Sequence, residues 1–185
     1  MTEIVALPRA VLDRVTAEVR AASWFAALGE PLTDGDREDA GSYVNELGFG
    51  DLDIDIAHDW PEAERLLKKP DVSPAWWTRE EMRRRELLSR AESRYPPHAL
   101  WTALTELTTE AGELVHGKAA TAAGRMGDAA RASIHVAAGA ASQAVYQLAV
   151  ARLAGEEGSP FESKFRLFAA GRWPLCIVGS RLILF

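Results

Sequence analysis

The sequence predicts a mainly α fold: a single-domain helical bundle over residues 1–185 with a small C-terminal β-hairpin at 174–185. Three observations lead there. Leu100, Leu104, Leu107, Ala111 and Leu114 repeat with alternating spacings of four and three, and Ile134, Ala137, Ala141, Val145 and Leu148 recur at the same two spacings. That is the seam of two paired antiparallel helices. At the C-terminus, Leu175–Val178 and Leu182–Phe185 are apolar runs flanking Gly179-Ser180, and a Gly-X pair suits a two-residue type II′ turn.

The remaining elements follow in chain order. Pro8 suits a first helical turn, and Val11, Val15, Val19, Ala22 and Ala26 carry helical spacing up to Gly29. Gly29–Asp36 reads as a loop. Ala40, Tyr43, Val44 and Leu47 mark a short helix that Gly48 stops. Phe49–Trp60 is acidic and alternating, an extended segment suited to pair with the hairpin. Asp59 and Glu62 form a helix start, and that helix ends before Pro70. Ser73-Pro74 opens a charged helix running to Pro96-Pro97, with Glu80/Arg84, Glu81/Arg85 and Glu86/Arg90 as i,i+4 surface pairs. Ser159-Pro160-Phe161-Glu162 caps a last helix lined by Phe161, Phe165 and Phe168 and ended by Gly171.

Composition narrows the function classes. A net charge of −6 argues against a dedicated nucleic-acid binder, which needs a basic face. Arg79, Arg83, Arg84, Arg85, Arg90 and Arg94 lie near Trp76 and Trp77, but glutamates share their helix, as on a salt-bridged outer surface. The lone Cys176 sits among apolar residues and reads as a small buried hydrophobe. The start of the chain lacks a signal-peptide pattern, and Arg131, His135, Gln143, Gln147 and Arg152 interrupt the most apolar helix, so a cytoplasmic protein without a membrane span is expected. Neither hairpin strand alternates, so both faces need cover. Together with the alanine-rich second helix, this makes a homodimer the expected assembly.

Three groups could carry chemistry. Asp51, Asp53, Asp55, Asp59 and Glu62 reproduce the side-chain spacing of an EF-hand calcium loop, with Ile56 at the position where glycine makes the turn. Their other reading is a capped helix start behind a wet strand face. Glu110 and Glu113, three apart on one helix, could share a divalent cation with Asp128 beyond the following turn. The stretch Leu107–Asp128 resembles the all-α, MazG-like nucleotide pyrophosphohydrolases. In that family an E-x-x-E helix faces an E-x-x-D helix, and Arg125 stands where this second motif begins with glutamate. The resemblance implies Mg²⁺ or Mn²⁺ on Glu110, Glu113 and Asp128, activating water against a nucleoside triphosphate. His116 and His135 with Glu113 form the third group. If the helix stops at Gly117, Glu113 lies level with Asp128. If it runs on to Gly124, His116 lies level with His135. No nucleophile signature is present, so the expected function is protein–protein interaction or self-assembly. The metal-dependent hydrolase is the alternative.

Overall fold

The computed structural model describes residues 6–69 and 71–185. The described residues form seven α-helices and a three-stranded sheet, 66 % helical in all. In chain order these are α1 (Arg9–Ala21), α2 (Asp34–Glu46), β1 (Asp53–Ile56), α3 (Trp60–Leu67), α4 (Pro74–Glu92), α5 (Pro97–Met126), α6 (Ile134–Leu153), α7 (Pro160–Ala169), β2 (Pro174–Val178) and β3 (Arg181–Leu184).

The α5/α6 pair forms the most extensive helix–helix contact. Leu100, Leu104, Leu107, Ala111 and Val115 of α5 are buried, as are Ala137, Ala141, Val145 and Leu148 of α6. Gly117 does not stop α5, which runs on to Met126 and is 30 residues long, about 45 Å at 1.5 Å per residue. The alanines beyond it have an apolar neighbour to pack on, and Ala119, Ala122 and Ala123 are buried. Gly127, at φ +98°, ends the helix, and a 3₁₀ turn over Asp128–Ser133 leads into α6. Within α6, Ala138, Ala144, Ala149 and Ala151 are buried as well, so this helix is the central post of the bundle. Small side chains on several faces let α1, α4, α5 and α7 all approach it.

The first helix is shorter than its periodicity predicts. It ends at Ala21, and the chain turns so that Trp24 and Phe25 both enter the core. Trp24 donates its indole N–H to the Val19 carbonyl at 2.8 Å, covering an acceptor that the helix end leaves free. Phe25 adopts φ +58°, a left-handed conformation strained for a bulky residue. Its ring meets Phe168 and Trp173 edge-on, and Arg125 donates to its carbonyl at 3.0 Å. Thr33 caps α2 reciprocally with Asp36, so that helix starts inside the segment expected to be a loop.

Gly179, at φ +59°, makes the hairpin turn while Ser180 keeps a negative φ. The sheet order is β1–β3–β2. β1 runs parallel to β3 with Ile54 opposite Leu182, and β2 is antiparallel to it with Ile177 opposite Leu182. The Phe49–Trp60 segment therefore does pair with the hairpin. Every residue of β2 is buried, as are Leu182–Leu184 of β3, and β2 packs on α3 and α7. The two features that predicted a homodimer, the apolar hairpin and the alanine-rich helix, are thus covered within one chain. Most of their apolar surface is buried in this way, while Val136 of α6 stays 59 % exposed. Cys176 is buried, and desolvation pushes its thiol up to about 11, so it is an inert core residue.

Candidate functional site

The acidic residues singled out in the sequence are dispersed. Because α5 is continuous, Glu113 lies thirteen residues before Met126, about 20 Å along the axis, and Asp128 lies beyond that. Glu110 pairs with Arg20 of α1, Glu113 is exposed, and Asp128 pairs with Arg131 at 3.1 Å. Glu110, Glu113 and Asp128 do not converge on one ion. The helix length explains why: the arrangement of the pyrophosphohydrolases needed a turn at Gly117. Among the described residues no three His, Cys, Asp or Glu side chains form a metal-holding group.

The EF-hand-like spacing resolves into a strand and a helix cap. Asp53 and Asp55 belong to β1, where Asp55 pairs with Arg181 at 2.8 Å. Asp59 accepts from the Glu62 backbone N–H at 2.8 Å, and the Glu62 carboxylate accepts from the His58 N–H at 2.9 Å. A β-branched Ile56 paired in a sheet cannot make the tight turn of a calcium loop.

The arginines of α4 are engaged in ion pairs and packing. Arg84 and Arg85 both donate to Glu81 at 2.7 Å, and the bonds from Arg84 lead in holding that carboxyl down to about 2. Arg83 and Arg90 grip Glu156 beyond the end of α6. Arg79 lies over the Phe49 ring, 4.1 Å from its centre, and donates to the Gly48 carbonyl. Of the three expected surface pairs only Glu81/Arg85 forms. Glu86 turns back to Arg83 at 2.7 Å.

Glu80 leaves the surface entirely and enters the most concentrated set of polar groups in the core. Lys164 of α7 donates to it at 2.6 Å and to Gln147 of α6 at 3.1 Å. Tyr43 of α2 donates its hydroxyl to the same carboxylate and accepts from the Trp76 indole at 2.6 Å. Glu80 and Lys164 are 4 % and 5 % exposed, which leaves a solute no approach. Burial, then the charge of Glu80, raises the Tyr43 phenol well above its usual range. No buried side-chain polar atom among the described residues lacks a partner. The quintet closes on itself and ties α2, α4, α6 and α7 together. Sequence reasoning missed it, although a signal was present. Glu80 sits on the apolar stripe of Trp76, Leu87 and Ala91, and Lys164 sits between Phe161 and Phe168 on another. Opposite charges on two buried stripes can be tolerated only as partners.

A second buried ion pair fixes the turn after α1. Arg172 meets Asp36 at 3.0 Å and donates to the carbonyls of Glu30 at 2.6 Å and Pro31 at 2.7 Å. Nearby, Phe25, Trp60, Trp173, Met126 and Ile134 line an apolar recess of about 20 Å³, room for roughly one water.

One sequence-predicted group does come together. His116 of α5 and His135 of α6 lie with ring centres 5.2 Å apart, both exposed. No protein-family model, curated protein or solved structure matches this chain. Among the described residues, no helix is long and apolar enough to cross a membrane.

Proposed function

We propose that the protein acts by contact with another protein chain, with a second copy as the first partner to test, through the outer face of α4. The observation that carries this is the exposure of large apolar side chains there: Trp77 is 58 % and Met82 66 % exposed, at the two margins of an outer surface about 140° wide. Burying such a side chain is worth about 1.5–3 kcal/mol, a gain the isolated chain forgoes and a partner recovers. Tryptophan, methionine and arginine are the residues enriched at the centres of protein interfaces. Arg85 lies between them on the same helix, its side chain 73 % accessible and paired with Glu81. Trp76 beside Trp77 is held inward by its bond to Tyr43, so Trp77 projects from a fixed base.

Sedimentation of the full chain over a concentration series tests the reading. Reversible self-association is expected, and it should be lost in Trp77→Ser/Met82→Ser while the unfolding midpoint is retained. A chain that stays monomeric at every concentration, or a double variant that associates as before, would sink this assignment of the surface.

A further inference from the structure

We propose that His116 and His135 form a two-histidine chelate for a borderline transition-metal cation of the Zn²⁺, Ni²⁺ or Cu²⁺ class. The site stands apart from the α4 surface and goes beyond the proposed interaction function. Its basis is a fit between ligand geometry and helix geometry. With zinc–nitrogen bonds of about 2.0–2.1 Å, two imidazoles at the tetrahedral angle place their ring centres about 5 Å apart. The observed separation is 5.2 Å. The two rings need not be drawn together by the metal, because the α5/α6 packing already holds them at that spacing.

The backbone under the rings is anchored by buried neighbours. His116 lies one residue after the buried Val115, and His135 lies two residues before the buried Ala137, so each ring projects from an anchored turn. Continuity of α5 through Gly117 is what brings them level. A helix ending there would have put Glu113, not His116, opposite the start of α6. Both rings are exposed, so a hydrated ion can reach them without opening the fold.

The donor set selects the ion. Imidazole nitrogen suits Zn²⁺, Ni²⁺ and Cu²⁺, with Cu²⁺ favoured among them, while Mg²⁺ and Ca²⁺ require oxygen. No third His, Cys, Asp or Glu side chain completes the set among the described residues. The remaining positions fall to water, and the site clips two helices together while leaving coordination positions open. Such an ion binds the folded chain, where the two rings are already adjacent, more tightly than the unfolded one, so it raises the unfolding midpoint.

The test is thermal unfolding and titration calorimetry of chelator-treated full chain at neutral pH with Zn²⁺, Ni²⁺, Cu²⁺, Mg²⁺ and Ca²⁺ in turn. The three transition metals should raise the midpoint at one ion per chain, and the other two should not. His116→Gln and His135→Gln should each weaken binding about tenfold or more, since a chelate that loses one ligand keeps a single bond. His98→Gln, which removes an isolated exposed histidine, should bind like the parent. Electron paramagnetic resonance of the Cu²⁺-loaded protein should show two coordinated nitrogens, reduced to one in either single variant. Unchanged affinity in His116→Gln or His135→Gln, or equal loss in His98→Gln, would overturn the assignment. Absence of any transition-metal shift would overturn it too.

Discussion

Two polar clusters of this protein, one in the core and one at the surface, are built to opposite ends. Around Lys164, five side chains from four helices meet in the core, and the charged pair has almost no access to water. At His116 and His135, two side chains from two helices meet in solvent with most of their bonding capacity unused. The difference teaches that a titratable cluster is chemically available only where its valences are open. The buried cluster, despite its perturbed tyrosine, is a fastener. The exposed pair keeps its ring nitrogens within reach of solvent.

Breaking the fastener should produce the largest effect. Lys164→Met leaves the Glu80 carboxylate buried without its cation, which costs about 3–5 kcal/mol, measurable by urea unfolding. Adding Glu80→Leu to that variant should recover part of the loss, because it removes the unpaired charge, while the buried Tyr43 hydroxyl and Gln147 amide still lack the partners they had. A Lys164→Met variant as stable as the parent would mean that the cluster fastens nothing.

A smaller effect is expected at Tyr43. Tyr43→Phe removes one donor to Glu80 and the acceptor of the Trp76 indole, worth about 1–3 kcal/mol. The same residue sets an alkaline limit. Its folded pKa is raised, first by burial and then by Glu80, so as pH rises past about 10 the unfolded chain releases the phenol proton before the folded one does. Stability that is complete below that pH falls above it. Burial also raises Tyr146, which shares the trend. The fall should be shallower in Tyr43→Phe, as unfolding measured across pH 9–11 would reveal.

The smallest effect should lie at the histidines. Without metal, His116→Gln/His135→Gln should unfold within about 0.5 kcal/mol of the parent, as exposed substitutions do. A large metal-free loss would erase the contrast between the two clusters.

Much of the scaffold was legible in the sequence, because the seam at Leu100–Leu114, the Gly179 turn and the Phe161–Phe168 stripe each follow from local periodicity. What escaped was decided by partners far along the chain. Glu80 satisfies an i,i+4 pairing with Arg84 on paper, but Lys164 and Tyr43, supplied by other helices, draw it inward. Gly117 is compatible with stop or continuation, and the apolar face offered to Ala119, Ala122 and Ala123 decides for continuation. That same outcome separates Glu113 from Asp128 and brings the histidines level. The hairpin's need for cover was legible as well. Its cover turned out to be the chain itself: α3 and α7 pack on β2, and β1 pairs along the free edge of β3.

The pairing of β1 with β3 also sets a schedule. Asp53 finds its partner only at Arg181, with nearly the whole bundle between them. On the ribosome, the α5/α6 hairpin has its contacts close in sequence and can form early, whereas the first strand emerges and waits. Closing so long a loop is entropically slow until the helices have shortened the path. The sheet is therefore expected to assemble after the α5/α6 pair, and the amides of Asp53–Ile56 should gain hydrogen-exchange protection later than those of the two helices.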